Sequence, residues 1–269
     1  MSRKAKEARC QDMEEWALRE HTEQYYHENV GYSEFLESQS LESYRKYASI
    51  LIEYSRVGER ILDVGCGTGQ ALDLITKMCP GRAVHGIDVS RTSIEKCMER
   101  SLSCLVYDGR SIPFGDTYFD VVGSFNVLEH VTYPYDLLAE KLRVLKTGGH
   151  LVIACPNFLS ITNSYHPHTK GLRQKLRNLI DTLRKSCARG LGFERMEVTV
   201  REQIQPDDDA CNATNPADIL AWAKGRGLEL EYWSGQTYEM SRFADLLDRS
   251  FLRLFLGSTL AVFRKLAKP

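Results

Sequence analysis

The sequence has no C-x-x-C pair among its eight cysteines and no bias of charge, with 35 basic residues against 36 acidic ones. It also lacks any unbroken apolar run of membrane-spanning length. Each absence closes a class of function. Structural zinc sites are commonly built on paired cysteines, but Cys10, Cys66, Cys79, Cys97, Cys104, Cys155, Cys187 and Cys211 are scattered. That pattern points to space-filling thiols in a reduced, cytosolic protein, with no metal expected. A bilayer span needs roughly 18 consecutive apolar residues, and even "FLRLFLGSTLAVFRKL" is cut by Arg253 and Arg264. The opening "MSRKAKEARCQDMEEW" is charged and has no apolar stretch of a secretory signal, so a cytoplasmic location is expected. A formal charge of -1 gives no general attraction to nucleic acid, and none is expected as a partner. There is no internal repeat or low-complexity tract.

What is present is an alternation. Residues 1–57 read as helices, with a break at Gly31 and then a stripe of Leu41, Tyr44, Tyr47, Leu51 and Tyr54 at helical spacing. From residue 58 to 156, short apolar strands ("ILDV", "AVHGIDVS", "CLVYDG", "YFDVVGSFNVL", "HLVIACP") alternate with amphipathic helices. Strands separated by helices of this length predict an α/β fold with a doubly wound, parallel sheet buried on both faces. Residues 157–214 interrupt the alternation and read as a lid insertion; residues 215–269 resume it with helix, strand, helix and strand.

The chemistry is written in "ILDVGCGTGQ". In a doubly wound sheet the turn after the first strand faces the ligand. Gly65, Gly67 and Gly69 let the backbone approach it. The dinucleotide fingerprint G-x-G-x-x-G is broken, because its third glycine falls on Gln70. Asp63 would repel a pyrophosphate and suit a cationic ligand end. Asp88, at the end of the second strand, can accept ribose hydroxyls, and Asp108, after the third, can meet an adenine amino group. Each acid could instead cap a loop or helix. Taken together they describe a site for an adenosine with a cationic tail.

With those residues in view, the chain resembles the class I S-adenosylmethionine (SAM)-dependent methyltransferases, in their ubiquinone/menaquinone-biosynthesis-like branch. The resemblance rests on "ILDVGCGTG", "HGIDVS", "CLVYDGRSIPFGDTYFDVVGSFNVLEHV" and "LRVLKTGGHLVIACPN", and covers about residues 44 to 157. It implies a seven-stranded, mostly parallel Rossmann-like sheet whose last strand is antiparallel, with SAM as cofactor and S-adenosylhomocysteine as product. It also implies that Asp63, Gly65, Cys66, Gly67 and Gly69 line the methionine end. Asp88 would take the ribose, Val89 the adenine face, and Asp108 and Gly109 the adenine edge. Asn126 and Val127 would lie beneath the transferring methyl. Some quinone O-methyltransferases of this branch carry a carboxylate where this chain has Asn126, which argues against a metal.

His130, in "NVLEHV", lies just past strand four on the ligand rim and is a candidate base or acceptor-orienting group; otherwise it is a locally hydrogen-bonded histidine. His166 and His168 in "NSYHPHTKG" are candidates for acceptor contact. Tyr25, Tyr26 and Tyr32 could close over the cofactor or pack on the core. Lys170–Arg189 holds seven basic residues and one acid, with an apolar stripe of Leu172, Leu176, Leu179, Ile180 and Leu183. Such a helix can contact a membrane surface or a phosphorylated substrate. The expectation set beside this is a lid helix with its leucines inward and its basic face solvated. The function read from all this is methyl transfer to a small-molecule acceptor, at an oxygen of a metabolite or sugar-containing intermediate. The alternatives are a quinone-type or lipid-like acceptor, a non-catalytic SAM-binding protein and an NAD-dependent oxidoreductase.

Overall fold

The computed structural model describes residues 26, 30–162, 171–187, 192–196, 209–235 and 251–267. Two helices, α1 (Val30–Ser38) and α2 (Leu41–Glu53), precede β1 (Arg60–Val64). Then follow α3 (Gln70–Met78), β2 (Ala83–Asp88), α4 (Arg91–Glu99), β3 (Cys104–Val106), β4 (Phe119–Phe125), α5 (Pro134–Val144) and β5 (Leu145–Pro156). The remainder comprises α6 (Leu172–Cys187), β6 (Glu194–Arg195), β7 (Asn212–Ala213), α7 (Pro216–Ala223), β8 (Leu228–Ser234), a 3₁₀ turn (Phe251–Phe255) and β9 (Ser258–Lys265). Gly31, read as a break between helices, lies in the first turn of α1, which starts at Val30; the helical stretch read before it lies outside the described residues apart from Tyr26. A glycine in the first turn costs little, since the N–H groups there have no intrahelical partner to lose.

The main sheet has the order β3-β2-β1-β4-β5-β9-β8. Neighbours from β3 to β5 are parallel, whereas β9 runs antiparallel to both β5 and β8. The doubly wound sheet and its reversed last strand are therefore as expected. Alternate side chains feed two cores, as the two-residue period of a strand requires. Leu62, Val64, Ile87 and Val122 join α5 and α7 on one face. Ile61, Val121, Val152 and Val262 join Tyr47 and Leu51 of α2 on the other.

Local signals set the helix starts. Ser40 caps α2 by accepting the Glu42 N–H, and Ser90 caps α4 through Ser93. Asn215 caps α7 by accepting the Asp218 N–H, with Pro216 in its first turn. The insertion contributes α6 and the two-residue ribbon of β6 and β7. Its end returns to the loop after β4, where the backbone N–H groups of Cys211 and Asn212 both donate to Glu129 O. That return matters for the site.

Candidate active site

The turn after β1 is held open by left-handed backbone. Gly65, Gly67 and Gly69 have φ of 74°, 53° and 86°, values an L side chain adopts only at a cost. Gly65 has a second constraint: a Cβ there would stand 2.3 Å from Val127 Cγ2. The loop is bolted to β2, since the N–H groups of Gly65 and Cys66 both donate to Ile87 O. Gly67 N–H donates to Asp88 Oδ2 at 2.8 Å, and Ser90 N–H to Asp88 Oδ1 at 2.9 Å. Asp88 thus locks the turn to the strand end. Burial pushes its carboxyl up and these N–H bonds oppose the rise.

Helix α1 lies over this turn. Gln70 Nε2 donates to Leu36 O at 2.8 Å, and the Leu36 side chain packs where a Cβ on Gly67 would go. Buried Ser33 reaches Thr92 Oγ1 of α4 at 2.7 Å, while Glu37 pairs with Lys96 and Arg100.

Asp63 stands inside β1 rather than at its tip. Its register partners on both sides are glycines, Gly86 in β2 and Gly123 in β4. The space at Gly123 is filled by Tyr47, whose OH would lie 2.3 Å from any Cβ there. That OH donates to Asp63 Oδ1 at 2.6 Å. Burial pushes the Asp63 carboxyl up to about 7, with Tyr47 pulling the other way. On the opposite face, fully buried Lys141 of α5 donates to Ser124 Oγ. Burial brings its ammonium down to about 7, with Asp63 the first of the charges opposing that fall. Asp108 is exposed, and its Oδ1 accepts the N–H groups of Arg110 and Ser111, closing a small turn. Gly109, with φ of 74°, packs against Val89, since a Cβ there would meet Val89 Cγ1 at 3.2 Å.

The end of β4 carries the other half of the site. Asn126 takes a left-handed φ of 53° and donates its N–H to Ala154 O, which turns the chain sharply before Val127. His130 follows, its N–H on Val127 O. Its ring is wedged between acids, with Nδ1 3.3 Å from Asp209 Oδ1 and Nε2 3.6 Å from Glu129 Oε1. Tyr26 donates its OH to Asp209 Oδ2 and sets its ring edge-on to His130. Tyr32 packs edge-on to Tyr26. Burial drives the His130 imidazole down to about 4 and the Asp209 carboxyl up to about 7. His166, His168 and Tyr25 lie outside the described residues.

Several of these residues escaped the sequence reading. Asp209 stands 79 positions from His130 and only the fold joins them. Lys141 did leave a signal, since it occupies the apolar register of α5 three and four residues after Leu138 and Leu137. The glycines within β2 and β4 were another signal, because a glycine inside a strand often marks a close approach. Cys66, Cys97 and Cys104, far apart in sequence, converge with their sulfurs within 4.8 Å of one another. They lie in a buried apolar cluster with Leu72 and Ile94, the setting of space-filling thiols.

A parallel sheet with a reversed last strand, a glycine turn after β1 and an acid at the end of β2 define the class I methyltransferase fold. Residues 62–153 match the family described as a methyltransferase domain. A protein in transposon TN4556 of Streptomyces fradiae is 32% identical over 56% of this chain and 46% of its own length. The 27-O-demethylrifamycin SV methyltransferase of Amycolatopsis mediterranei is 26% identical over 72% of this chain and 71% of its own. The CcbJ methyltransferase of Streptomyces caelestis shares the fold with a TM-score of 0.56 at 16% identity, over 84% of this chain and 90% of that one. The chain spans about half the length of several curated relatives it matches. It has the fold of the class I SAM-dependent methyltransferases, whose cofactor is SAM, and residues 62–153 are similar to a methyltransferase domain. The residues fit that cofactor: a left-handed glycine turn packed too closely by Val127 and Leu36 to admit side chains at Gly65 or Gly67, with the carboxylates of Asp63 and Asp88 beside it.

Proposed function

We propose that this chain moves the methyl group of SAM to an oxygen of a small-molecule acceptor, a metabolite or a sugar-containing intermediate. SAM, when bound, supplies an activated sulfonium methyl and carries positive charge. One observation carries the reading. The glycine turn Gly65–Gly69, left-handed at its three glycines, is flanked by Asp63 within its own strand and by Asp88 at the end of the next, with Asp88 hydrogen-bonded to the turn itself. Such a cradle disfavours a diphosphate and favours a cation.

On this reading Asp63, Gly65, Cys66, Gly67 and Gly69 line the methionine end. Asp88 accepts backbone N–H groups of Gly67, Ser90 and Val89 and keeps a lone pair for a ribose hydroxyl. Val89 covers the adenine face, Asp108 and Gly109 its edge, and Asn126 and Val127 lie beneath the methyl. Helix α1 closes the turn from outside. His130 would accept the proton that the acceptor hydroxyl gives up. Burial keeps the imidazole neutral at neutral pH, the form that accepts a proton. Asp209, whose Oδ1 stands 3.3 Å from Nδ1, offsets the imidazolium charge that forms. His166 is a second candidate for acceptor contact. The methylation of an oxygen matches the name of the rifamycin relative.

A quinone-type or lipid-like acceptor is the second reading, and the exposed leucines of α6 favour it. Calorimetry with SAM and S-adenosylhomocysteine, paired with transfer of labelled methyl to hydroxylated acceptors, tests both levels. Asp88→Ala is expected to weaken both nucleosides by roughly tenfold or more, the loss of a hydrogen bond to a charged group. Unchanged affinity would remove the site assignment. Tight SAM binding with no methylated product across the panel would favour a non-catalytic SAM-binding protein, and nicotinamide binding an oxidoreductase.

A further inference from the structure

Helix α6 is inside out. In "LRQKLRNLIDTLRKSC" the side chains of Leu172, Leu176, Leu179, Ile180 and Leu183 fall within one arc of about 100°. An amphipathic helix on a folded domain turns that arc to the core. Here Leu172 is 84% exposed, Leu176 57%, Ile180 42% and Leu183 51%. The buried residue is Asn178, on the far side of the helix. Its Nδ2 donates to Phe158 O at 3.0 Å, and its Oδ1 accepts from Gln174 at 2.9 Å. The expectation of leucines packed inward is thus reversed at Leu172, Leu176, Ile180 and Leu183, with Leu179 half-buried: Asn178 ties the far side of the helix to Phe158 and the leucine face is turned outward.

The surroundings of the leucine face are one-sided in charge. Arg173, Arg177 and Arg184 line one edge of the arc and Lys175 lies beyond the other, while Asp181, the one acid of the helix, lies on the side away from the leucines and pairs with Arg184 at 3.7 Å. A second copy of the same helix across a leucine seam would bring like charges together. An anionic bilayer would satisfy both features at once, with leucines in the acyl boundary and guanidinium groups among the phosphates. The mooring point, Phe158, is two residues past the end of β5.

We propose that α6 is an interfacial docking helix for anionic lipid membranes, a role independent of whether the domain transfers methyl groups. The test is co-sedimentation of the full chain with vesicles of phosphatidylcholine alone or mixed with phosphatidylglycerol. Binding is expected to the mixed vesicles only, and to fall in 1 M salt, where the screening length is about 3 Å. Leu176→Glu/Ile180→Glu should abolish it. Arg173→Glu/Arg177→Glu should weaken it roughly tenfold or more, given the attraction of each basic side chain to such a surface. All four positions are on the helix surface, and circular dichroism of each variant confirms that the fold is retained. No binding to the mixed vesicles, or full binding by either folded variant, overturns the proposal. So does a self-associating chain, by sedimentation velocity, that Leu176→Glu/Ile180→Glu renders monomeric without any vesicle binding in the parent.

Discussion

The two halves of the ligand rim are built differently. On the β1–β2 side, residues 61–90 form nearly everything themselves: turn, lock and helix cap all come from neighbours joined mainly by backbone N–H groups. On the β4 side, His130 meets Asp209 from the end of the insertion and Tyr26 from the N-terminal region. On the proposed reading the first half fixes the geometry that the cofactor needs, and a local motif suffices for it. The second half is assembled from distant segments, which is how one fold takes many acceptors. If so, damage to the first half should remove cofactor binding, and damage to the second should remove turnover while leaving cofactor binding intact.

The largest effect is expected at His130. His130→Gln should lower kcat by about 10²- to 10⁴-fold, the usual worth of a positioned base. S-adenosylhomocysteine affinity should stay unchanged by calorimetry; a parallel loss of affinity would merge the two halves.

Gly65→Ala comes next, since it puts a methyl group into Val127 at a positive φ. Strain and overpacking together cost about 3 kcal/mol. Cofactor binding should fail in a chain whose urea midpoint is lowered. Adding Val127→Ala should recover the steric part only.

Buried charge gives the third contrast. Asp63 titrates at about 7 in the folded chain and near 4 when unfolded. The folded state therefore holds a proton between those values that the unfolded chain has released. This contribution is complete below about 4 and is lost as pH rises through 7. Lys141, brought down to about 7, acts in the other sense. Its contribution is present above about 10.4 and lost as pH falls through 7. Asp63→Asn should flatten the acid-side slope of stability by an amount on the order of a few kcal/mol, and Lys141→Met the alkaline-side slope. On the β4 side, Asp209 loses its contribution as pH rises towards 7, and His130 loses its own as pH falls towards 4. These two oppose each other across one window, so His130→Gln should change the slope there in the sense opposite to Asp63→Asn. Urea midpoints from pH 4 to 10 check all three.

Asp108→Ala should do least. The exposed carboxylate closes a turn through two N–H groups, worth about 1 kcal/mol. Its larger consequence should be on adenosine affinity, which fluorescence titration would show.

The order of strands and helices was legible because each element announces itself over a few residues. Asp88 and the three glycines were legible for the same reason. Asp63 was read as facing a cationic ligand end, yet its glycine neighbours Gly86 and Gly123 let Tyr47 cover it from α2. The leucine stripe of α6 was visible in the sequence, but not the direction in which it points. Sequence periodicity says which residues share a helix face, whereas the face that meets the domain depends on what the rest of the chain offers.

By itself, then, the sequence determined the sheet, its turns and the half of the rim made from adjacent residues, because strand, turn and cap preferences act over a few bonds. Only the tertiary structure decided the pairing of His130 with Asp209, the burial of Lys141 and the outward leucines of α6. Those depend on surfaces brought together from distant positions, where burial and the loss of water, rather than local backbone preference, set the outcome.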